Sequence, residues 1–550
     1  MKSLVCSVTA TAVVLLGSVT AGGCSAETTA PAAEPSALQK LATQPTDAPE
    51  PIELGIDVHG KNIGPTVLGQ RVQVIVGVSD TPYDTATGFK AGPAAHLNRY
   101  GQSRRFFPVF DNSDTGKGNI GVVWQAPTSG RIYATWVGDS LVGNDTVELQ
   151  RPPKTALAAA TSDDKGTIYY LCIEEGDHKS GTKKVWMLAA GPDGARDNEL
   201  DGSKATLNIT QFGSAKGSSN QAALVYSGGD LGLIVARKMH KAKDGLNHQG
   251  AIAAVIDAKT LQIRKKLGQT SSHSFEVFLD KAHDGRFIGI DLADNYPRGV
   301  HLHRFDAAKR HSRVVYTFKT KHGTKANNPA GKKYDAYVKT ASGKQLYKWS
   351  NDNSTYTELG GVVHTGKGLL VVFASEADKL DNAKALALHN APRNLATVLV
   401  RPDFETVAKG KGASWVSDEL MLSKSDYTME GGYYSFGGKW LSQRNSGVAW
   451  HTDYTNKNDN CSRVKIANLL ADGVAVLWER WTAKSYVETH AMILGGDGSV
   501  MAKPQSLGKK LRLGRREDPF VSKQRAVVVS GDAKAKALVF DVFLPKGRLQ

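Results

Sequence analysis

The sequence predicts an all-β chain folded as a single large β-propeller of seven blades, with six to eight compatible, over residues 56–550. Three observations carry this reading. Strand–turn–strand units recur along the chain at uneven separations of tens of residues. The 550 residues include 56 glycines, with frequent Asp-Gly and Gly-Gly turns, whereas long amphipathic helical stretches are scarce. No linker-like stretch interrupts residues 60–545. One large all-β unit therefore fits better than two stacked β-sandwich domains, the rival architecture.

Taken in order, Arg71–Val76 reads as a strand, and Ile120–Trp124 and Ile132–Val137 flank a hairpin turn. Thr155–Thr161 and Thr167–Ile173 flank SDDKG, and Ala222–Tyr226 and Leu231–Ala236 flank SGGD. The same device recurs at Phe275–Leu279 with Phe287–Leu292, and at Gly361–His364 with Leu369–Ala374. It returns at Ile466–Leu470 with Val474–Glu479, and at Ala526–Val529 with Ala537–Val542. Four-stranded units of about 40–50 residues, repeated radially, make a propeller. The long intervals 318–358 and 376–430 then read as inserted loops, with a short helix expected over Lys379–Ala391.

Two resemblances point the same way. Ser162-Asp163-Asp164-Lys165-Gly166-Thr167-Ile168-Tyr169 resembles the Asp-box turn that joins outer strands of propeller blades in sialidases and their relatives. That turn is structural, so it implies fold and not sialidase activity. The runs Gly245–Gly250, Ser271–Phe275, Asp291–His303, Tyr356–Val363 and Gly431–Gly438 resemble a family of exported bacterial β-propeller-like lipoproteins. The resemblance covers about 240–480 and implies fold and export, with no activity to carry over.

Residues 1–23 read as a signal peptide: a basic start at Lys2, an uncharged apolar run over Leu4–Val19, then small residues. The run is short of the roughly 20 apolar residues that span a bilayer. Thr20-Ala21-Gly22-Gly23-Cys24 resembles a bacterial lipobox, which makes Cys24 the expected lipidation site. Residues 24–55 are rich in Ala, Pro, Thr and Glu and read as a disordered tether. The expected setting is therefore extracytoplasmic: the cell surface or periplasm through a lipid anchor, or secretion if Cys24 carries no lipid. In the body only Cys172 and Cys461 remain, as a disulfide or as two buried thiols.

Net charge is +16 and the pI about 9.4, with Lys and Arg spread along the chain. A basic extracytoplasmic protein meets anionic polysaccharide or an envelope protein. No helix-turn-helix, RRM or zinc-finger pattern supports specific nucleic-acid binding. A monomer is expected.

The preferred site region is rich in histidine. His301 and His303 fall on one face of a strand, because side chains alternate with period two. Asp291 and Asp294 precede them across a turn holding Tyr296 and Arg298, and His248 and His273 each open a strand. Together with Glu358 these residues form the expected ligand-binding set. His301 and His303 are the candidate ligands of a divalent metal, Ca or Zn, although no cofactor is required by any motif. Two Asp/Asn-rich loops, Asp111–Gly116 and Asp453–Asn460, offer oxygen ligands suited to calcium but lack EF-hand spacing. Tyr433, Tyr434, Phe436, Trp440, Trp450, Trp478 and Trp481 are either sugar platforms or packing between blades. No GxSxG, Walker loop, HExxH or Rossmann fingerprint occurs. The expected function is a surface-tethered binding or scaffold propeller for an anionic glycan or protein. The alternative is a polysaccharide hydrolase or lyase with its site at the propeller mouth.

Overall fold

The computed structural model describes residues 61–85, 104–110, 120–138, 141, 144–175, 184–191, 194–200, 222–241, 247–272, 277–293, 299–317, 337–339, 345–347, 357–376, 392–405, 432–434, 440–442, 448–456, 458–469, 473–482, 485–514, 517–522 and 525–544. Residues 1–55, read as signal, lipidation site Cys24 and tether, and Lys379–Ala391, read as a short helix, lie outside them. All elements among the described residues are strands.

The first two strands are β1 (Lys61–Thr66) and β2 (Gly69–Gly77). Blade 1 follows as β3 (Phe106–Val109), β4 (Ile120–Gln125), β5 (Ile132–Val137) and β6 (Asn144–Leu149). Blade 2 is β7 (Thr155–Ser162), β8 (Ile168–Glu174), β9 (Val185–Gly191) and β10 (Gly194–Leu200). Blade 3 is β11 (Ala222–Ser227), β12 (Asp230–Lys241), β13 (Asn247–Asp257) and β14 (Ile263–Ser272). Blade 4 is β15 (Val277–Lys281), β16 (Phe287–Ala293), β17 (Gly299–Phe305) and β18 (Arg310–Thr317).

Next come the short β19 (Tyr337–Lys339) and β20 (Gln345–Tyr347). Blade 5 begins with β21 (Glu358–His364), β22 (Leu369–Glu376) and β23 (Arg393–Val400). After β24 (Gly432–Tyr434) and β25 (Trp440–Ser442) the blade is completed by β26 (Val448–Trp450), which pairs with β23. β19, β20, β24 and β25 pair in a small sheet of their own, the first two from the 318–358 interval and the last two from just beyond residue 430. Blade 6 is β27 (Asp459–Asn468), β28 (Val474–Thr482), β29 (Ser485–Leu494) and β30 (Val500–Gly508). One parallel pair, Arg393 with Asn460, links blades 5 and 6 into an eight-stranded sheet. Blade 7 is β31 (Phe520–Ser522), β32 (Arg525–Asp532) and β33 (Ala537–Leu544), with β2 as its fourth strand and β1 outside it. The start of the described chain thus closes the ring, in antiparallel register from Gln70 with Leu544 to Gly77 with Ala537.

Packing shows that the ring is continuous. One apolar layer joins blades 1, 2 and 3, and others join blades 3 and 4, 4 and 5, 5 and 6, 6 and 7, and 7 and 1. This explains the sequence pattern. Strands with a neighbouring blade on each face are buried throughout and mostly apolar, as in Arg393–Val400, where every residue is buried. Outer strands meet water: β30 is mostly exposed and carries Lys503 and Pro504, residues that discourage edge-to-edge pairing. Tight turns are set by glycine where φ must be positive. Gly228 and Gly229, at φ 57° and 88°, make the two-residue hairpin between β11 and β12.

Three expectations are corrected or refined. The Asp-box-like turn joins β7 and β8, the two inner strands of blade 2, rather than outer strands. The strand expected from Ile466 starts at Asp459: its polar residues up to Lys465 are buried, so they carry no apolar signal in the sequence. Cys172 lies on β8 and Cys461 on β27, in different blades, and both are free buried thiols. Burial holds each thiol up near 12, so both are inert at neutral pH.

Candidate functional site: the central channel

The innermost strands β3, β7, β11, β15, β21, β27 and β31 surround a cavity of about 710 Å3. Each contributes its C-terminal end or the turn beyond it. Phe110 follows β3, Ser162, Asp163 and Asp164 end β7, and Tyr226 and Ser227 end β11. Lys281 and His283 come from the end of β15, His364 from β21, Asn468 from β27 and Ser522 from β31. Hydroxyl, amide, imidazole, ammonium and carboxyl groups therefore gather at one mouth by topology alone.

Local interactions fix the mouth. Asp163 accepts hydrogen bonds from the backbone of Lys165 (2.9 Å) and Thr167 (2.8 Å) and from the Tyr169 hydroxyl (3.2 Å). It serves its turn, as an Asp-box-like aspartate should, and leaves exposed Asp164 to face solvent. The Ser162 hydroxyl accepts the Phe110 amide at 2.6 Å, which ties blade 1 to blade 2 at the rim. On the opposite side the His283 and His364 rings stack at 4.2 Å, and His364 Nδ1 accepts the His283 amide at 2.9 Å. Burial, and then His283, push His364 down to about 4, so its ring is neutral at pH 7. Behind this pair Arg286 and Arg304 share Asp284 and Glu405, and His311 joins Glu405 at 3.3 Å. The network pins the blade 4 turn to blade 5.

Deeper in the wall, Asp518 is neutralised by Arg104 at 2.5 Å, whose guanidinium also lies 5.9 Å from the Phe107 ring and 5.7 Å from the Phe278 ring. Asp280 shares a strand face with Phe278 and accepts only the Lys281 amide, at 2.8 Å, among the described contacts. Burial raises its carboxyl to about 6. Gly360 and Gly361 sit in a β-bulge of β21, where a Cβ would lie 2.6 Å from Val464 and 2.5 Å from Ile466. Only glycine lets β21 approach β27 here.

The expected site residues divide. His273, Asp294, Tyr296 and Arg298 lie outside the described residues, as do Asp111–Gly116 and Phe436, and of His248 only the strand position is described. His301 and His303 do share a face, with ring centroids 6.5 Å apart. That face is packed against blade 3, not open to the channel, since Phe287 and Phe305 of the same face belong to the layer between blades 3 and 4. His303 pairs with Ser312 (2.8 Å) and Asp291 (3.2 Å), and His301, His303 and Asp291 are all buried. Among the described residues no group of three or more His, Cys, Asp or Glu is arranged to hold a metal. Glu358 is also structural: it accepts Ser462 at 3.0 Å and the Arg463 amide, and Arg393 lies at 3.4 Å. The Asp453–Asn460 loop is a capped turn in which Asp459 accepts Thr482 (2.7 Å) and Arg480 (3.2 Å). Trp450, Trp478 and Trp481 are packing residues. For Tyr433, Tyr434 and Trp440 only strand positions are described.

The sequence reading missed His283, His364, Tyr226 and Asp280. One signal was available: each closes the first strand of a hairpin unit, and in a propeller those ends converge.

No family model and no curated protein matches the chain. Among solved structures it is similar to a protein of unknown function from Dyadobacter fermentans, at 10% identity over 76% of this chain and 97% of that one, TM-score 0.33. It is similar to a mutant of AofleA from Arthrobotrys oligospora, at 10% identity over 74% and 88%, TM-score 0.30. It is also similar to an α-L-arabinofuranosidase from Lactobacillus brevis, at 9% identity over 62% and 92%, TM-score 0.27. At these levels the propeller assignment rests on the chain's own sheet topology and interblade packing.

Proposed function

We propose that this chain is an extracytoplasmic binding propeller, held to the envelope through Cys24 and its tether, that takes a polar, saccharide-like ligand at the channel mouth. The observation that supports this reading is the convergence of Ser162, Ser227, Lys281, His283, His364 and Asn468 around one cavity beside the Tyr226 ring. Hydroxyl and amide groups next to an aromatic face suit a sugar ring, which is polar at its edge and apolar on its face. The +16 net charge of the chain would attract an anionic envelope polymer. The channel itself has the opposite balance: Asp163, Asp164, Asp280 and Asp518 against Arg104 and Lys281, a net of −2 with histidines neutral.

A glycan array followed by calorimetry on residues 56–550 tests the reading. Binding of the leading oligosaccharide should fall at least about tenfold in Tyr226→Ala and in Asn468→Ala, with unfolding midpoints little changed. Unaltered affinity in both variants would remove the channel as the site.

A second reading, a glycan-cleaving hydrolase, draws on Asp280. A carboxyl raised to about 6 in a channel is suited to act as a general acid. Release of reducing sugar from the array's leading ligand, abolished in Asp280→Asn, would favour it over simple binding.

A further inference from the structure

We infer that the channel selects ligands carrying a protonated amine, with Asp280 as the anchoring group; this rests on the channel being the binding site.

Three observations lead there. First, the cavity wall is net negative inside a basic protein. An acidic wall attracts amines, against the average charge of the chain. Second, neither cation of the wall is ion-paired with Asp280 among the described residues. Arg104 is spent on Asp518 at 2.5 Å. Lys281 is the next residue of the same strand, so its side chain leaves from the opposite face, and it is exposed. Asp280 is left with one backbone amide as its hydrogen-bond donor. A carboxylate can accept about four hydrogen bonds, so most of its capacity is open to a ligand. Third, the surroundings suit a cation. Phe278 lies on the same strand face, and the Arg104 guanidinium already rests 5.7 Å from that ring. An ammonium beside Asp280 gains a charge-assisted bond and lies in an aromatic environment that tolerates positive charge.

The groups that face Asp280 give the pH dependence. Lys281 and His283 favour its charged form, Asp518 and burial disfavour it, and the balance leaves it titrating near 6. Amine binding should therefore be strong at pH 7 and weaken as pH falls through 6, when the carboxyl takes up a proton. Neutral His364 adds no repulsion at the mouth over that range.

The test uses the glucosamine trimer and its fully N-acetylated counterpart, which share the same rings and differ in charge. Each is titrated by calorimetry into wild-type protein and Asp280→Asn at pH 7, with calcium chloride titrated separately. The expected result is that the amine trimer binds wild type at least about tenfold more tightly than the acetylated trimer. Asp280→Asn should abolish that preference. Equal binding of both trimers to wild type would overturn amine selection while leaving the channel as a saccharide site. Binding of neither trimer would overturn the channel reading together with it. Binding of calcium but not the amine, dependent on Asp280, would assign the carboxylate to a metal ion instead. Thermal unfolding of Asp280→Asn, which removes a desolvated charge and should not destabilise, verifies that the variant is folded.

Discussion

The ring is closed by a strand from the beginning of the described chain, and a buried ion pair sits at that closure. Arg71 on β2 donates to Asp541 on β33 through Nε at 2.8 Å and Nη2 at 2.6 Å, with both side chains only 2–3% exposed. Gln73 also donates to the same oxygen at 3.3 Å. Burial outweighs Arg71 and holds the Asp541 carboxyl above its ordinary range, which shows that desolvation has absorbed much of the pair's attraction. Two consequences with different magnitudes follow. Asp541→Ala leaves Arg71 as an uncompensated buried cation and should cost about 3–5 kcal/mol. Arg71→Met with Asp541→Leu replaces the pair by apolar groups on the sheet face of Val528 and Phe543, against Leu507, and should fall within about 1 kcal/mol of wild type. The assay is urea unfolding of wild type, both single variants and the double variant, read as a double-mutant cycle. A double variant as unstable as Asp541→Ala would refute the argument. So would a cost below about 1 kcal/mol for Asp541→Ala.

Two further predictions concern the blades and the channel. Gly232→Ala should destabilise by about 1–3 kcal/mol, because the new Cβ would lie 2.4 Å from a ring carbon of Phe287 across the interface between blades 3 and 4; a truncating Phe287→Leu in the same background should recover part of the loss, and urea unfolding measures both. Asp280→Asn should leave stability unchanged near pH 4 and raise it above pH 6. The folded carboxyl, at about 6, exceeds its ordinary 3.8, so wild type loses stability as pH rises through that window. The gain is no more than about 3 kcal/mol and is smaller where channel water screens the charge; pH-dependent melting of the two proteins checks it.

The inner half of blades 2 to 6 was legible in the sequence and the outer half was not, whereas in blades 1 and 7 the sequence marked the middle pairs β4–β5 and β32–β33 and missed the innermost β3 and β31. β7 with β8, β11 with β12 and β21 with β22 are apolar runs around short turns, because neighbouring blades cover both their faces. The outer strands Ile263–Ser272 and Val500–Gly508 carry Arg, Lys, Gln and Ser where they meet solvent, so nothing in their composition separates them from loops. The site was harder to read for a related reason. His301-Leu302-His303 forms a conspicuous local pattern, yet the second dimension of the fold turns it into an interblade layer with Asp291 and Ser312. The channel residues are single and far apart, such as Ser162, Tyr226, Asp280 and Asn468, and only closure of the ring brings them together. The histidines near residue 300 fall on blade 4, which also carries His283, and it is His283 rather than His301 that lines the cavity.

Hydrogen exchange with and without the strongest-binding oligosaccharide tests the central claim most directly, because the channel is assembled from segments distant in sequence. The account predicts simultaneous protection in peptides covering 161–167, 225–230, 279–286, 362–368 and 466–469, all at strand ends or turns of the mouth. Protection confined to outer strands such as Asn144–Leu149, Ile263–Ser272 and Val500–Gly508 would contradict it, and would move the binding site to the rim.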